Sequence, residues 1–432
     1  MTPGRWIRCG SLVDGHGKSP LTDMAVEVNG PLIGQVIPWA QAPDGARAHA
    51  VDLSGHTLAP GFVDAHVHLL FTARETHAAT RAAMRAATPA HLAFTAARNA
   101  AECLLGGVTT VRDCGDQDFL TLELRDAIAA GLLPGPRVLA AGPPVTVTGG
   151  HLSWCGKRAD SPDEVRRAVR ELCAAGVDLV KIMASGGNMT HGSNPRMPQF
   201  DEHELRLAVT EAHRLGRRVA AHSQSAEATR RSVAAGADTV EHCGWNLPDG
   251  SAELDPRTVD AMAERGTWAV LTYSGSTRPM LPEYAGHPSG ERAAALALSA
   301  TGDLHGDYRW ARAMRDRGVR MALASDAGVR YTPFRAFTDS IRCGMVSLDL
   351  RAAEAIGLAT RQAAEALGIA HEVGSVEPGK QADLVVLDGL VHAATTRIGA
   401  VRQVWRAGTP VVDHGKLTLP TGPEAHDPPR GG

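Results

Sequence analysis

No two of the seven cysteines (Cys9, Cys103, Cys114, Cys155, Cys173, Cys243, Cys343) are spaced as a C-x-x-C pair, and their number is odd. Thiols scattered in this way exclude a disulfide framework and suit a reducing compartment, so a cytoplasmic protein is expected. An excess of positive charge is also missing. The formal net charge is −3, which leaves no electrostatic footprint for nucleic acid. No apolar run is long enough to span a membrane, and Met1 to Trp6 has no apolar signal core. What remains is an ordinary soluble composition, 44% hydrophobic and 21% charged, in 432 residues. That length allows a large core and more than one domain.

The stretch Pro60-Gly61-Phe62-Val63-Asp64-Ala65-His66-Val67-His68 organises the rest. Pro60-Gly61 is a turn signal and Phe62 to His68 reads as a buried strand. Side chains alternate along a strand, so His66 and His68 project to one side, a start for a divalent metal site. Before this stretch, Arg5–Cys9, Met24–Val28 and Leu32–Ile37 read as strands of a small antiparallel sheet. After it, strand, loop and helix repeat. The further strand candidates are Val108–Asp113, Arg137–Ala141, Asp178–Met183, Arg217–His222, Asp238–His242, Thr267–Tyr273 and Val319–Asp326.

Helix signals fall between them. Thr88-Pro89 opens one helix that closes at Gly106-Gly107, Ser161-Pro162-Asp163-Glu164 reads as a capping box, and Asp201 to Glu204 opens another helix. Eight such strands predict an α/β fold, a (β/α)8 TIM-like barrel. A helical stretch at Leu350–Leu367 follows, and strand character returns at Ala382–Asp388 and Val401–Arg406. Short strands at both ends predict one small β-sandwich domain built from residues 1–60 and 371–432 around a barrel at 61–370. The Pro- and Gly-rich tail from Pro420 is expected to be loosely held.

Barrel enzymes keep their chemistry at the C-terminal ends of the strands. There the sequence places His66 and His68 on the first strand, Lys181 on the fourth, His222 on the fifth, His242 on the sixth and Asp326 on the eighth. Each alone has an ordinary explanation: a snorkelling lysine, hydrogen-bonded core histidines, a capping aspartate. Chance does not bring all of them to one barrel mouth, and together they make a candidate site.

This pattern, with the phrase Val376-Glu377-Pro378-Gly379-Lys380-Gln381-Ala382-Asp383-Leu384, resembles the binuclear-metal subtype of the amidohydrolase superfamily. Val180 to Gly187 and Thr148-Gly149-Gly150-His151 resemble its imidazolonepropionase-related and Xaa-Pro dipeptidase-like branch. The resemblance implies two divalent ions, zinc favoured over manganese or iron. His66, His68 and Asp326 would hold one, His222 and His242 the other, and Lys181 would bridge them as its CO2-derived carbamate. It also implies a bridging hydroxide as nucleophile, with Asp326 as general acid and base. His151 is the candidate donor to the scissile carbonyl.

Gln224 and Tyr273 are further substrate-contact candidates, although Gln224 stands where related enzymes often carry an aromatic or another histidine. Asn188 and His191 lie in a glycine-rich loop that could shape the pocket. Arg112 and Asp113 are read as a pair within the barrel with no catalytic role. The connection from Tyr273 to Tyr308 has the length of a lid or substrate wall.

The expected reaction is hydrolysis of an amide C–N bond in a small molecule, an N-acyl amino acid or dipeptide-like compound. The alternatives are a cyclic amide, lactam or imine (imidazolonepropionase- or deaminase-like chemistry), or a metal-dependent decarboxylation or isomerisation. A homo-oligomer without nucleic-acid or membrane partners is expected.

Overall fold

Eight apolar runs after residue 60 become parallel strands within one or two residues of their expected limits: Phe62–Val67, Val108–Asp113, Arg137–Ala140, Leu179–Met183, Arg218–His222, Thr239–Glu241, Trp268–Thr272 and Met321–Ala324. These are seen in a computed structural model that describes residues 4–281 and 306–418. All but the third and fifth are buried along their whole length. Burial on both faces is what near-continuous Val, Ile, Leu and Ala runs require of a sheet covered by helices.

The first three strands pair in one parallel sheet. The fourth to eighth pair in a second, extended at its edge by Val145–Thr146 and Lys157–Arg158. The sheets meet at both edges. Asp178 N donates to Ala140 O at 2.9 Å, Asp326 N to His66 O at 2.9 Å and His68 N to Ala327 O at 2.9 Å.

Helices cross between the strands where the capping residues start them. Thr88 Oγ1 accepts from His91 N at 3.3 Å at the head of Pro89–Leu105. Asp201 and Glu204 exchange reciprocal bonds of 2.8 and 2.9 Å at the head of Glu202–Arg214. At Pro162–Ala174 the expected capping box is only half made. Ser161 Oγ accepts from Glu164 N at 3.4 Å, but the Glu164 carboxylate accepts from Asp160 N instead of Ser161 N. The expected helix over 350–367 is two helices, Ala352–Leu358 and Arg361–Leu367. Among the described residues no helix is long and apolar enough to cross a membrane.

The ends of the chain build a separate β-rich part. Its strands are Arg5–Leu12, Leu21–Asn29, Leu32–Pro38 and Val51–Pro60 from one end, and Leu384–Asp388, Val401–Arg406, Thr409–Asp413 and Lys416–Leu417 from the other. They form one continuous eight-stranded sheet, where a two-layered sandwich was expected. Val51–Pro60 joins the halves. It runs parallel to Arg5–Leu12 on one side and antiparallel to Leu384–Asp388 on the other, so the sheet is mixed, not antiparallel. Most of the expected lid, 282–305, and the tail from residue 419 lie outside the described residues.

Candidate metal centre

Alternation on the first core strand sets Asp64, His66 and His68 to one side, and the other strand ends bring their own side chains to the same place. His66, His68, His151, Lys181 and His222 are all buried. The rings form a chain: His68 to His66 with centroids 5.3 Å apart, His66 to His242 5.0 Å, His242 to His222 4.6 Å and His222 to His151 4.4 Å. Asp326 Oδ1 lies 3.6 Å from His66 Nε2 and 3.4 Å from His68 Nε2. Ligand atoms of His66, His68 and Asp326 all fall within 4.8 Å of one another. His242 and Asp326 sit at φ of 64° and 57°, a left-handed conformation that non-glycine residues adopt sparingly and that clusters at functional sites.

Each of the four strand-end histidines has one ring nitrogen already engaged by the protein. His66 Nδ1 meets Glu241 Oε2 at 2.7 Å, and His68 Nδ1 meets Gly115 O at 3.3 Å. His222 Nε2 meets Gly186 O at 3.1 Å, and His242 Nδ1 meets Thr272 Oγ1 at 2.6 Å. A nitrogen that donates to such an acceptor leaves the other with a lone pair, the tautomer a metal ligand needs. The free atoms are then His66 Nε2, His68 Nε2, His222 Nδ1 and His242 Nε2. Burial pushes the His66 ring down to about 3, helped by Lys181, and pushes the His242 ring down to about 4. His151 and His222 are held well below the usual range, again first by burial. Neutral rings bind metals; protonated ones do not.

Asp326 is the charged counterpart. Burial alone would raise its carboxyl, but the close approach of His68 and then the other neighbouring histidines outweighs that and keeps it ionised. Lys181 Nζ, Asp326 Oδ1 and His151 Nδ1 are buried atoms without a hydrogen-bond partner. Buried polar atoms are nearly always satisfied, so three orphans in one cluster mark a place built for a further group. The donor set of imidazoles and a carboxylate fits divalent metal ions.

Behind the candidate ligands stands a buried ion pair that sequence reasoning missed. Arg112 donates to Glu241 Oε1 at 2.6 Å, to Thr239 Oγ1 at 3.0 Å and to Ala65 O at 2.7 Å. Its expected partner Asp113 instead accepts from Leu69 N at 2.7 Å and Gly115 N at 3.1 Å. Burial opposes ionisation of Glu241, but the Arg112 charge and the His66 hydrogen bond prevail, so a carboxylate orients His66. The signal was present in Glu241-His242, an acid inside a buried strand beside a proposed ligand. His66, Cys114 and Glu241 also lie close together, yet burial raises the Cys114 thiol to about 12 and Glu241 is taken by Arg112. The acid before the first ligands is likewise engaged: Asp64 accepts from Ser325 N at 3.0 Å and from the Ser325 hydroxyl.

Two substrate candidates part ways. Gln224 follows the fifth strand, its backbone fixed by Ser185 and Asn246, and its Oε1 is buried without a partner. The Tyr273 hydroxyl is bonded to Ser347 and its carbonyl accepts from Ser340, both on the helix Phe337–Leu348, so it is tied to helix packing. Asn188 and His191 are exposed in the loop after the fourth strand.

A family model described as "Amidohydrolase family" matches residues 57–412. Imidazolonepropionase of Micrococcus luteus is 30% identical over 421 residues, 92% of this chain and 96% of that protein. Ochratoxinase of Aspergillus niger is 29% identical over 298 residues, 62% of this chain; the match spans only 58% of the ochratoxinase. Among solved structures, a Xaa-Pro dipeptidase with methionine bound in the active site superposes with a TM-score of 0.77 at 28% identity, covering 94% of this chain and 99% of that chain.

Proposed function

Because the chain belongs to the amidohydrolase family, we propose that it is a metal-dependent hydrolase acting on the amide C–N bond of a small molecule, an N-acyl amino acid or dipeptide-like compound. The observation that carries this reading is the set of four histidines, three buried and His242 half-buried, each with one ring nitrogen engaged, around the orphaned Lys181 Nζ and Asp326 Oδ1. We read the two parallel sheets as one closed (β/α)8 barrel. The bonds from Asp178 to Ala140 and from Asp326 to His66 support that closure.

His66, His68 and Asp326 would hold one ion and His222 and His242 a second. Lys181, an ammonium without a lone pair, would join them only as its carbamate. When bound, such ions polarise a carbonyl and lower the pKa of water. The chain's own residues do the rest. Asp326, kept ionised, accepts the proton of the attacking water and passes it to the leaving nitrogen. His151, neutral and packed on His222, donates to the carbonyl oxygen as it gains charge. Gln224 Oε1, buried without a partner, would accept from the substrate.

Hydrolysis of a cyclic amide is the second reading, favoured by the full-length likeness to an imidazolonepropionase. Protein loaded with zinc or manganese, given N-acyl amino acids, dipeptides and cyclic amides, decides between them by product mass. Separate amine and carboxylate products support the first reading. A single ring-opened product heavier by one water supports the second. Activity surviving in His66→Ala or Lys181→Ala would remove the metal assignment.

A further inference from the structure

The first and eighth core strands lie in different sheets, and among the described residues no ladder joins them. The backbone bridge at this seam pairs Val67 with Ala327, beyond the end of Met321–Ala324. A side chain takes over where the ladder is missing. Asp64 is buried, and its carboxylate accepts from Ser325 N at 3.0 Å through Oδ1 and from the Ser325 hydroxyl through Oδ2. The same Oδ1 accepts from His66 N at 3.3 Å. Ser325 Oγ in turn accepts from Ala327 N at 2.9 Å, and Asp326 N donates to His66 O at 2.9 Å. Three consecutive amides, at 325, 326 and 327, are therefore tied to the first strand, two of them through one carboxylate.

Asp326 is the middle residue of those three. Its φ of 57° is a conformation that persists only where the surroundings over-determine it, and the bonds on either side of it supply that constraint. They also set where its side chain stands, with Oδ1 3.6 Å from His66 Nε2 and 3.4 Å from His68 Nε2. The turn beyond is pressed against the same strand, since a Cβ at Gly328 would stand 2.5 Å from His68 O. A buried carboxylate is costly unless donors occupy its lone pairs. Asp64 spends both of its oxygens on the two segments that carry His66 and Asp326. The other end of the histidine chain is held differently, through Gly186 O at His222 and Thr272 at His242.

We propose that Asp64 and Ser325 are positioning residues whose bonds set Asp326 at its distance from His66 and His68, and so tune one metal position and not the other. This rests on the metal-dependent reading above and adds residues that act through Asp326. The test titrates cobalt(II) into apoprotein of the wild type, Ser325→Ala and Asp64→Asn, with His66→Ala and His242→Ala as references. Equilibrium dialysis and visible absorption are the readouts. In Ser325→Ala and Asp64→Asn, the binding event that His66→Ala abolishes should weaken roughly tenfold to a hundredfold, with a shifted absorption band. The event that His242→Ala abolishes should keep its affinity. The double variant should lose no more than the worse single one, because both break one chain of bonds. Thermal midpoints show which variants fold, and if Asp64→Asn does not, Ser325→Ala, lacking a single hydroxyl, decides. Equal weakening of both events, or no change in the one lost in His66→Ala, overturns the proposal and makes Asp64 a general brace of the seam. Amide turnover is followed in the same samples. A wild type that binds both ions and cleaves no amide sinks the proposed reaction and leaves the positioning role to the cobalt data. A wild type that binds no cobalt overturns both.

Discussion

At the scale of single residues, the candidate centre is oriented by groups that stand behind its histidines. Thr272 is the plainest, because its hydroxyl meets His242 Nδ1 at 2.6 Å at the end of the seventh strand. Thr272→Val keeps the shape and removes the oxygen, so His242 loses the partner that fixes its tautomer. If His242 holds a metal as proposed, affinity for that ion should fall roughly tenfold to a hundredfold, the usual effect of losing such a partner. Titrating metal into the apoprotein checks this, and an unchanged second affinity would show that Thr272 only packs. The gathering of His66, His68, Lys181, His222, His242 and Asp326 at one end of the core was legible because strand-end placement and residue type coincided there. Their supports were not. Glu241, Gly115 and Gly186 act through a hydrogen bond whose partner lies tens of residues away, and no local spacing announces that.

At the scale of elements, the loop after the fourth strand carries its own requirement. A Cβ at Gly187 would stand 2.5 Å from Cε1 and Nδ1 of His151, far inside contact distance. His151 cannot retreat freely, since its ring already lies 4.4 Å from that of His222. Gly187→Ala should therefore shift His151 while leaving the strand-borne ligands in place. Turnover should drop by roughly a hundredfold, the scale of a misplacement near 1 Å, with metal content unchanged. Equal loss of metal would mean that the loop supports the ligands instead. The elements were readable where burial on both faces wrote unbroken apolar runs. Val51–Pro60 was missed because Asp52, Ser54, Gly55 and His56 interrupt its first half, and pairing with Arg5–Leu12 holds that half extended. The partners of Tyr273 were hidden for a related reason: its strand end was visible, but the outer helix carrying Ser347 and Ser340 comes some seventy residues later.

At the scale of the molecule, the parallel α/β core and the mixed sheet are held together by a buried carboxylate between them. Asp383 is 4% exposed and accepts from Arg137 at 3.2 Å at the start of the third core strand. From the sheet it accepts from Arg406 at 3.4 Å and from Ala407 N at 2.7 Å. Its own carbonyl accepts from Gly61 N at 2.8 Å, the residue through which the chain passes from sheet to core. The Ala382-Asp383-Leu384 phrase was read as a family mark and as a strand, and it also carries this physical task. Asp383→Ala would strand the half-buried Arg406 guanidinium and the Ala407 N–H on the sheet side and leave Arg137 only its longer contacts to Glu372 and Thr110. The expected cost is about 2–4 kcal/mol, the range for breaking a largely buried pair. Asp383→Asn, which can still accept through its amide oxygen, should recover part of it. Urea unfolding of the three proteins measures both shifts. A loss under about 1 kcal/mol in Asp383→Ala would mean that apolar contacts alone join core to sheet. A loss in the expected range, with wild type unfolding in one transition and the variant in two, would show that this carboxylate makes the two parts cooperative.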